Sequence, residues 1–80
     1  MKQKAYIITV ESENKPGVLY RLAGIFVRRK INVESLIVRE TETKGVSKFT
    51  ISIQATEETV ERVIQGIRKI VEVYKAEVQK

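Results

Sequence analysis

The hydrophobic period of this chain changes from strand-like to helix-like and back twice within 80 residues, and that order leaves few folds open. Ala5-Tyr6-Ile7-Ile8-Thr9-Val10 is rich in β-branched and aromatic residues and stops at the polar cluster Glu11-Ser12-Glu13-Asn14, predicting a strand and a turn. After Pro16-Gly17 the period changes. Val18, Leu19, Leu22, Ala23, Ile25 and Phe26 recur at three- and four-residue spacing, predicting an amphipathic helix to about Lys30. Asn14 is placed to cap that helix, and Pro16 suits its first turn because the missing N–H is not needed there. Residues 31–43 read as extended and Lys44-Gly45 as a turn; Phe49, Ile51, Ile53 and Ala55 then alternate with polar residues as a half-buried strand. Thr56-Glu57-Glu58-Thr59 opens a second helix whose inward stripe is Val60, Val63, Ile64, Ile67 and Ile70 or Val71. A last strand covers residues 71–78.

The order β-α-β-β-α-β has one dominant solution. Two right-handed βαβ units interleave into a four-stranded antiparallel sheet with both helices on one face, an α+β, ferredoxin-like sandwich. The length fits a single domain over residues 1–80. The second strand is expected at a sheet edge, and a long apolar edge is an aggregation hazard unless another copy pairs with it. A homodimer through that strand, about a twofold axis, is the expected remedy.

Composition removes whole classes of chemistry. The chain has no Cys and no His, so disulfides, thiol catalysis, thiolate metal sites and the usual neutral-pH general base are all excluded. No catalytic residue, metal or cofactor is expected. Apolar runs are far shorter than the ~20 residues that span a bilayer, and the basic start Met1-Lys2-Gln3-Lys4 shows no cleavage-site pattern. The expectation is a cytoplasmic protein with no membrane contact. The formal charge of +5 permits nucleic-acid binding without requiring it.

Two places could carry chemistry. In Glu13-Asn14-Lys15-Pro16-Gly17-Val18-Leu19, a strand-to-helix turn aims the first unpaired N–H groups of a helix outward, with the positive end of its dipole behind them. Gly17 lets a ligand approach the backbone and Asn14 offers a donor and an acceptor together. This suits a small carboxylate such as an amino acid; the plainer reading makes Asn14 a cap and Gly17 a turn residue. The second place is Asn32-Val33-Glu34-Ser35-Leu36, which also reads as an ordinary loop-to-strand junction.

Taken together, Glu13-Asn14-Lys15-Pro16-Gly17-Val18-Leu19, a helix ending in Arg29-Lys30, and Ile31-Asn32-Val33-Glu34-Ser35-Leu36 resemble an ACT domain. The resemblance covers nearly the whole chain. It is strongest to the regulatory (small) subunits of acetolactate synthase, the phrase at 31–36 being the narrowing feature. The resemblance implies a non-catalytic module that senses an amino acid, valine or another branched-chain amino acid, at the interface of a side-by-side dimer, and that partners the catalytic subunit of acetolactate synthase. Carried over by position, Asn14 and Gly17 would hold the effector's polar end with backbone N–H groups around Val18 and Leu19. Asn32 and Ile37 would close the site from the neighbouring chain. The alternative within the family is a stand-alone ACT regulator of another amino-acid pathway enzyme.

Two rivals share the topology. An RNA-recognition module needs exposed aromatic residues on its central strands, yet the stacking positions of Lys44-Gly45-Val46-Ser47-Lys48-Phe49-Thr50-Ile51 hold Val46 and Lys48, and Phe49 falls on the core side of the alternation. Tyr6 is the one candidate on the first strand. An acylphosphatase-like enzyme needs an Arg in the first strand–helix loop, where this chain offers only Lys15.

Overall fold

The computed structural model describes residues 2–79; Met1 and Lys80, the ends of the expected 1–80 domain, lie outside the described residues. The elements run β1 (Lys4–Glu13), α1 (Pro16–Arg28), β2 (Val33–Glu40), β3 (Val46–Ala55), α2 (Glu57–Arg68) and β4 (Val73–Gln79). The sheet order is β2-β3-β1-β4, every neighbouring pair is antiparallel, and β2 is an edge strand. This is the ferredoxin-like βαββαβ arrangement that the period changes predict.

The core follows the two periods. Ile8 and Val10 of β1 and Phe49, Ile51, Ile53 and Ala55 of β3 alternate onto the helix side of the sheet. There they meet Val18, Leu22, Ile25 and Phe26 of α1 and Val60, Val63, Ile64 and Ile67 of α2. Ala76 is the contribution of β4, and β2 supplies no buried residue. Tyr6 packs against this core, half-buried, and Phe49 is inside it, so neither ring offers a face for stacking.

Several local boundaries differ from the sequence expectation. Pro16 takes the first helical position, which moves the N-cap of α1 to Lys15; no side chain caps that end, and Asn14 sits one residue too early to do so. At the other end α1 stops at Arg28 instead of Lys30. Lys30 adopts a left-handed φ of 56°, its N–H bonds the Val27 carbonyl at 3.0 Å, and the Ile31 N–H bonds the Phe26 carbonyl at 3.0 Å. That is a complete Schellman ending, with Lys where glycine is the usual signal, and Ile31 packs back on the core. The inward stripe of α1 excludes Leu19 and Ala23, which are exposed, and Val71 points to solvent while Ile70 packs inward. β2 is shorter than residues 31–43, and β4 starts at Val73.

The cap of α2 is as expected: the Thr59 N–H donates to Thr56 Oγ at 3.2 Å, and the two hydroxyls lie 3.0 Å apart. The two helix starts thus give opposite predictions. Thr56→Ala should lower stability by about 1 kcal/mol in urea unfolding. Asn14→Ala should stay within about 0.5 kcal/mol of the wild type, because its side chain caps nothing.

Candidate functional site

The β1–α1 turn is held by backbone. The Asn14 N–H donates to the Gly45 carbonyl at 2.9 Å, the Glu13 N–H to the Glu72 carbonyl at 2.9 Å, and the Lys15 N–H to the Glu13 carbonyl at 3.0 Å. With its own N–H tied to the β2–β3 turn and that of Glu13 tied to Glu72, just ahead of β4, Asn14 leaves its amide exposed beside the start of α1. Next to it lies an open cleft of about 490 Å³, lined by Glu13, Asn14, Lys15, Pro16 and Leu19 on one side and by Val38, Ser47 and Phe49 on the other. One end of this cleft is polar and adjoins an uncapped helix N-terminus; the other is aliphatic and aromatic. A zwitterion with a short apolar side chain has that same division.

Of the residues singled out from the sequence, Asn14 and Leu19 line this cleft. Gly17 is exposed one turn-step away, and a Cβ there would meet only the Arg21 guanidinium, at 3.6 Å. The fold itself therefore does not demand glycine at 17; open approach to the helix start is what a side chain would obstruct. Val18 has its side chain in the core, and its N–H already donates to the Lys15 carbonyl at 3.2 Å. Asn32 and Ile37 are not brought to this cleft within one chain. Asn32 lies beyond the far end of β2, in a second cleft of about 290 Å³ with Arg29, Lys30, Gln54 and Thr56. Ile37 is half exposed mid-strand, opposite Thr50 on the helix-free face.

Sequence inspection missed the wall of the cleft formed by Val38 and Phe49, which only strand pairing brings opposite one another. It also missed a clasp behind the turn. Arg21 Nη2 meets Glu72 Oε2 at 2.7 Å, and Arg21 Nε donates to the Gly17 carbonyl at 3.4 Å. The hydrogen bond from Arg21, supported by the Glu72 backbone N–H and the charges of Arg21 and Lys15, holds the Glu72 carboxyl below the usual glutamate range, against burial, which pushes it up. The other oxygen, Oε1, is buried with no hydrogen-bond partner among the described residues, so this carboxylate depends on Arg21. No group of carboxylates able to hold a metal ion occurs among the described residues.

With this geometry in view, the relatives are informative. A family described as the AHAS small subunit-like ACT domain matches residues 8–75. The chain belongs to this family. It is 46% identical over 70 residues to a probable acetolactate synthase small subunit of Archaeoglobus fulgidus, covering 88% of this chain and 44% of that protein. It is 40% identical over 75 residues to an acetolactate synthase small subunit of Mycobacterium avium, covering 94% and 45%. Among solved structures, the acetolactate synthase small subunit of Thermotoga maritima superposes with a TM-score of 0.84 at 33% identity, over 94% of this chain and 47% of that one. An ACT domain from a Chlorobium tepidum GTP pyrophosphokinase superposes at 0.82 with 15% identity, over 96% and 99%, which speaks to the fold alone. This ACT domain thus spans less than half the length of the small subunits it matches.

The clasp of the ACT domain makes a pH prediction. Because the folded-state pKa of Glu72 is depressed, its pairing contributes fully above the ordinary glutamate range and is lost as pH falls through the folded value. Urea midpoints measured from neutral pH down through about pH 4 should fall on the acid side in the wild type. In Arg21→Gln the neutral-pH midpoint should be lower and the acid-side fall shallower; an unchanged acid limb would mean that Glu72 is not its source.

Proposed function

We propose that this chain is a non-catalytic, amino-acid-sensing ACT domain of an acetolactate synthase regulatory subunit, working in the cytoplasm on branched-chain amino acid biosynthesis. The observation that carries the reading is the cleft at the β1–α1 turn, where Asn14 and the uncapped start of α1 adjoin Leu19, Val38 and Phe49. The polar end suits an α-carboxylate and α-ammonium; the apolar end suits the side chain of valine or a close relative. Discrimination among such side chains is limited to about 1–3 kcal/mol per methylene. The reading takes residues 1–80 as one ACT domain. No helix of the described residues is long and apolar enough to cross a membrane.

The site is completed by a second copy paired along β2. All eight residues of β2 are exposed, including Val33, Leu36, Ile37 and Val38. The opposite edge, β4, is defended by the Lys75–Glu77 charge pair and by an irregular register beside Ser12, as solvent-facing edges are. Antiparallel pairing of two β2 strands sends Asn32 of one copy toward the Glu40 end of the other. That end is tied to the turn: the Thr41 N–H bonds the Val46 carbonyl, and Gly45 receives the Asn14 N–H. Asn32, just before β2, and Asn14, in the turn tied to Gly45 beyond the other end of β2, lie apart in one chain and become neighbours in the pair. An effector bridging both chains favours one dimer geometry, and a catalytic subunit bound to the dimer responds to that shift.

The test is a thermal-shift panel of the twenty amino acids with the mass in solution recorded alongside. At about 100 times its dissociation constant the effector should add roughly 2.7 kcal/mol, several degrees for a domain this small. The expected responders are valine, leucine and isoleucine. Asn14→Ala and Asn32→Ala should each weaken the shift, and Gly17→Asp should remove it by placing a carboxylate where the ligand's belongs. Leu36→Glu should halve the mass from two chains to one and abolish the shift with it. A shift that survives in a monomer would move the site off the dimer interface.

A further inference from the structure

The two helices of this domain differ in their outer faces. α2 presents Glu57, Glu58, Glu61, Arg62, Gln65 and Arg68 to water, as a surface helix should. α1 buries Val18, Leu22, Ile25 and Phe26, yet its opposite side carries Tyr20, 82% exposed, Val27, 73% exposed, and between them Ala23 and Gly24. These four recur at the i, i+3, i+4, i+7 spacing of a single helix face and share an open groove of about 520 Å³. Arg21, already engaged with Glu72, is the only charge on α1 before Arg28. A helix that is apolar all round is normally covered on both sides. Gly24 points the same way: it sits in the helix interior, where glycine weakens a helix, and a Cβ there would meet nothing closer than the Arg28 guanidinium at 3.8 Å. Nothing inside the chain requires it to be small.

Charge identifies the occupant. From Lys15 to Val33 the chain has five cations, Lys15, Arg21, Arg28, Arg29 and Lys30, and no carboxylate; the remainder holds ten of each sign, so the whole excess of +5 resides on α1 and its flanks. Arg28, Arg29 and Lys30 have no carboxylate partner among the described residues. A second copy of α1 laid against this face would set Arg against Arg with no acid to offset them. A protein surface with an apolar centre and a carboxylate rim would satisfy both the groove and its border.

We infer that the outer face of α1, Tyr20-Ala23-Gly24-Val27 bordered by Arg28 and Arg29, docks an acidic-rimmed protein surface. Under the function proposed above, on which this identification of the partner rests, that surface belongs to the catalytic subunit. Ligand sensing at β2 and partner docking at α1 then occupy different sides of the domain.

The experiment titrates the purified chain with the acetolactate synthase catalytic subunit of the same genome and follows complex formation by sedimentation. Val27→Glu should weaken the complex at least tenfold while the dimer mass and the amino-acid thermal shift persist, showing the variant to be folded. Gly24→Ala should melt no lower than the wild type, yet bind the partner several-fold more weakly, an opposition of signs that a purely structural role does not produce. Arg28→Glu with Arg29→Glu should weaken the complex and flatten its dependence on salt. Variants that bind as the wild type does would overturn the docking face and leave the sensing function standing. A wild-type chain that binds no catalytic subunit would overturn both the occupant and the regulatory-subunit reading. Val27→Glu lowering the chain's own oligomeric mass, or abolishing wild-type adsorption to phosphatidylserine vesicles, would reassign the face to a second copy or to lipid and overturn the inference.

Discussion

Among the described residues every buried apolar side chain comes from β1, β3, β4 or the two helices, so the stability of this chain rests on a core that ends one strand short of its sheet. β2 is held through its ladder to β3, where Leu36 stands opposite Ile51 and Val38 opposite Phe49. Those pairings put β2 side chains at the border of the core without covering them. Full burial of a Val, Leu or Ile side chain is worth about 1.5–3 kcal/mol, and four such residues on β2 remain substantially exposed. A small domain without cysteines to cross-link it gains most from closing such a border.

The β1–α1 turn shows how the same economy of interactions leaves a ligand-accessible point. α2 satisfies its first N–H groups with Thr56; α1 has Pro16 at its first position and no side-chain cap. The turn is nevertheless well fixed, because the clasp of Arg21 on Glu72 and the backbone bonds from Glu13 and Asn14 hold it from behind. Order is thus supplied from the side away from the cleft, while at the helix start Pro16 has no N–H and the Val18 N–H is engaged with Lys15. Lys15 adds a positive charge on the open side, 3.5 Å from Glu13 and exposed. Glu13 offsets that charge, so the preference for an anion there rests on the dipole of α1.

The alternation of β3 and the stripe of α2 were legible in the sequence because both are local periodicities whose phase is unambiguous. The phase of α1 was harder to read, since Leu19, Tyr20, Ala23 and Val27 make its outer side almost as apolar as its inner one. Its limits were obscured for a related reason. Pro16 displaces the cap from Asn14 to Lys15, and the left-handed ending uses Lys30, which no propensity scale marks as a stop. The Asn14 and Gly17 positions could be marked from the strand–turn–helix context. The clasp could not: Arg21 and Glu72 are 51 positions apart, and nothing near either one announces the other. The opposed ends of β2 carry the same lesson, because Asn32 becomes part of the proposed site only through a second chain.

α1 joins these features mechanically. Its first turn borders the cleft through Leu19, its inner stripe is locked into the core, and its outer face is the one apolar surface of the helices left bare. Leu19 and Tyr20 are consecutive, so the proposed ligand contact and the inferred partner contact fall on neighbouring residues of one helix about 20 Å long. Gly66 of α2 sits against Ile25, where a Cβ would lie 3.7 Å away in ordinary contact. Couplings between such sites are ordinarily 1–3 kcal/mol. In the proposed function and the inferred docking face, α1 is the element that links the turn to Tyr20 and Val27.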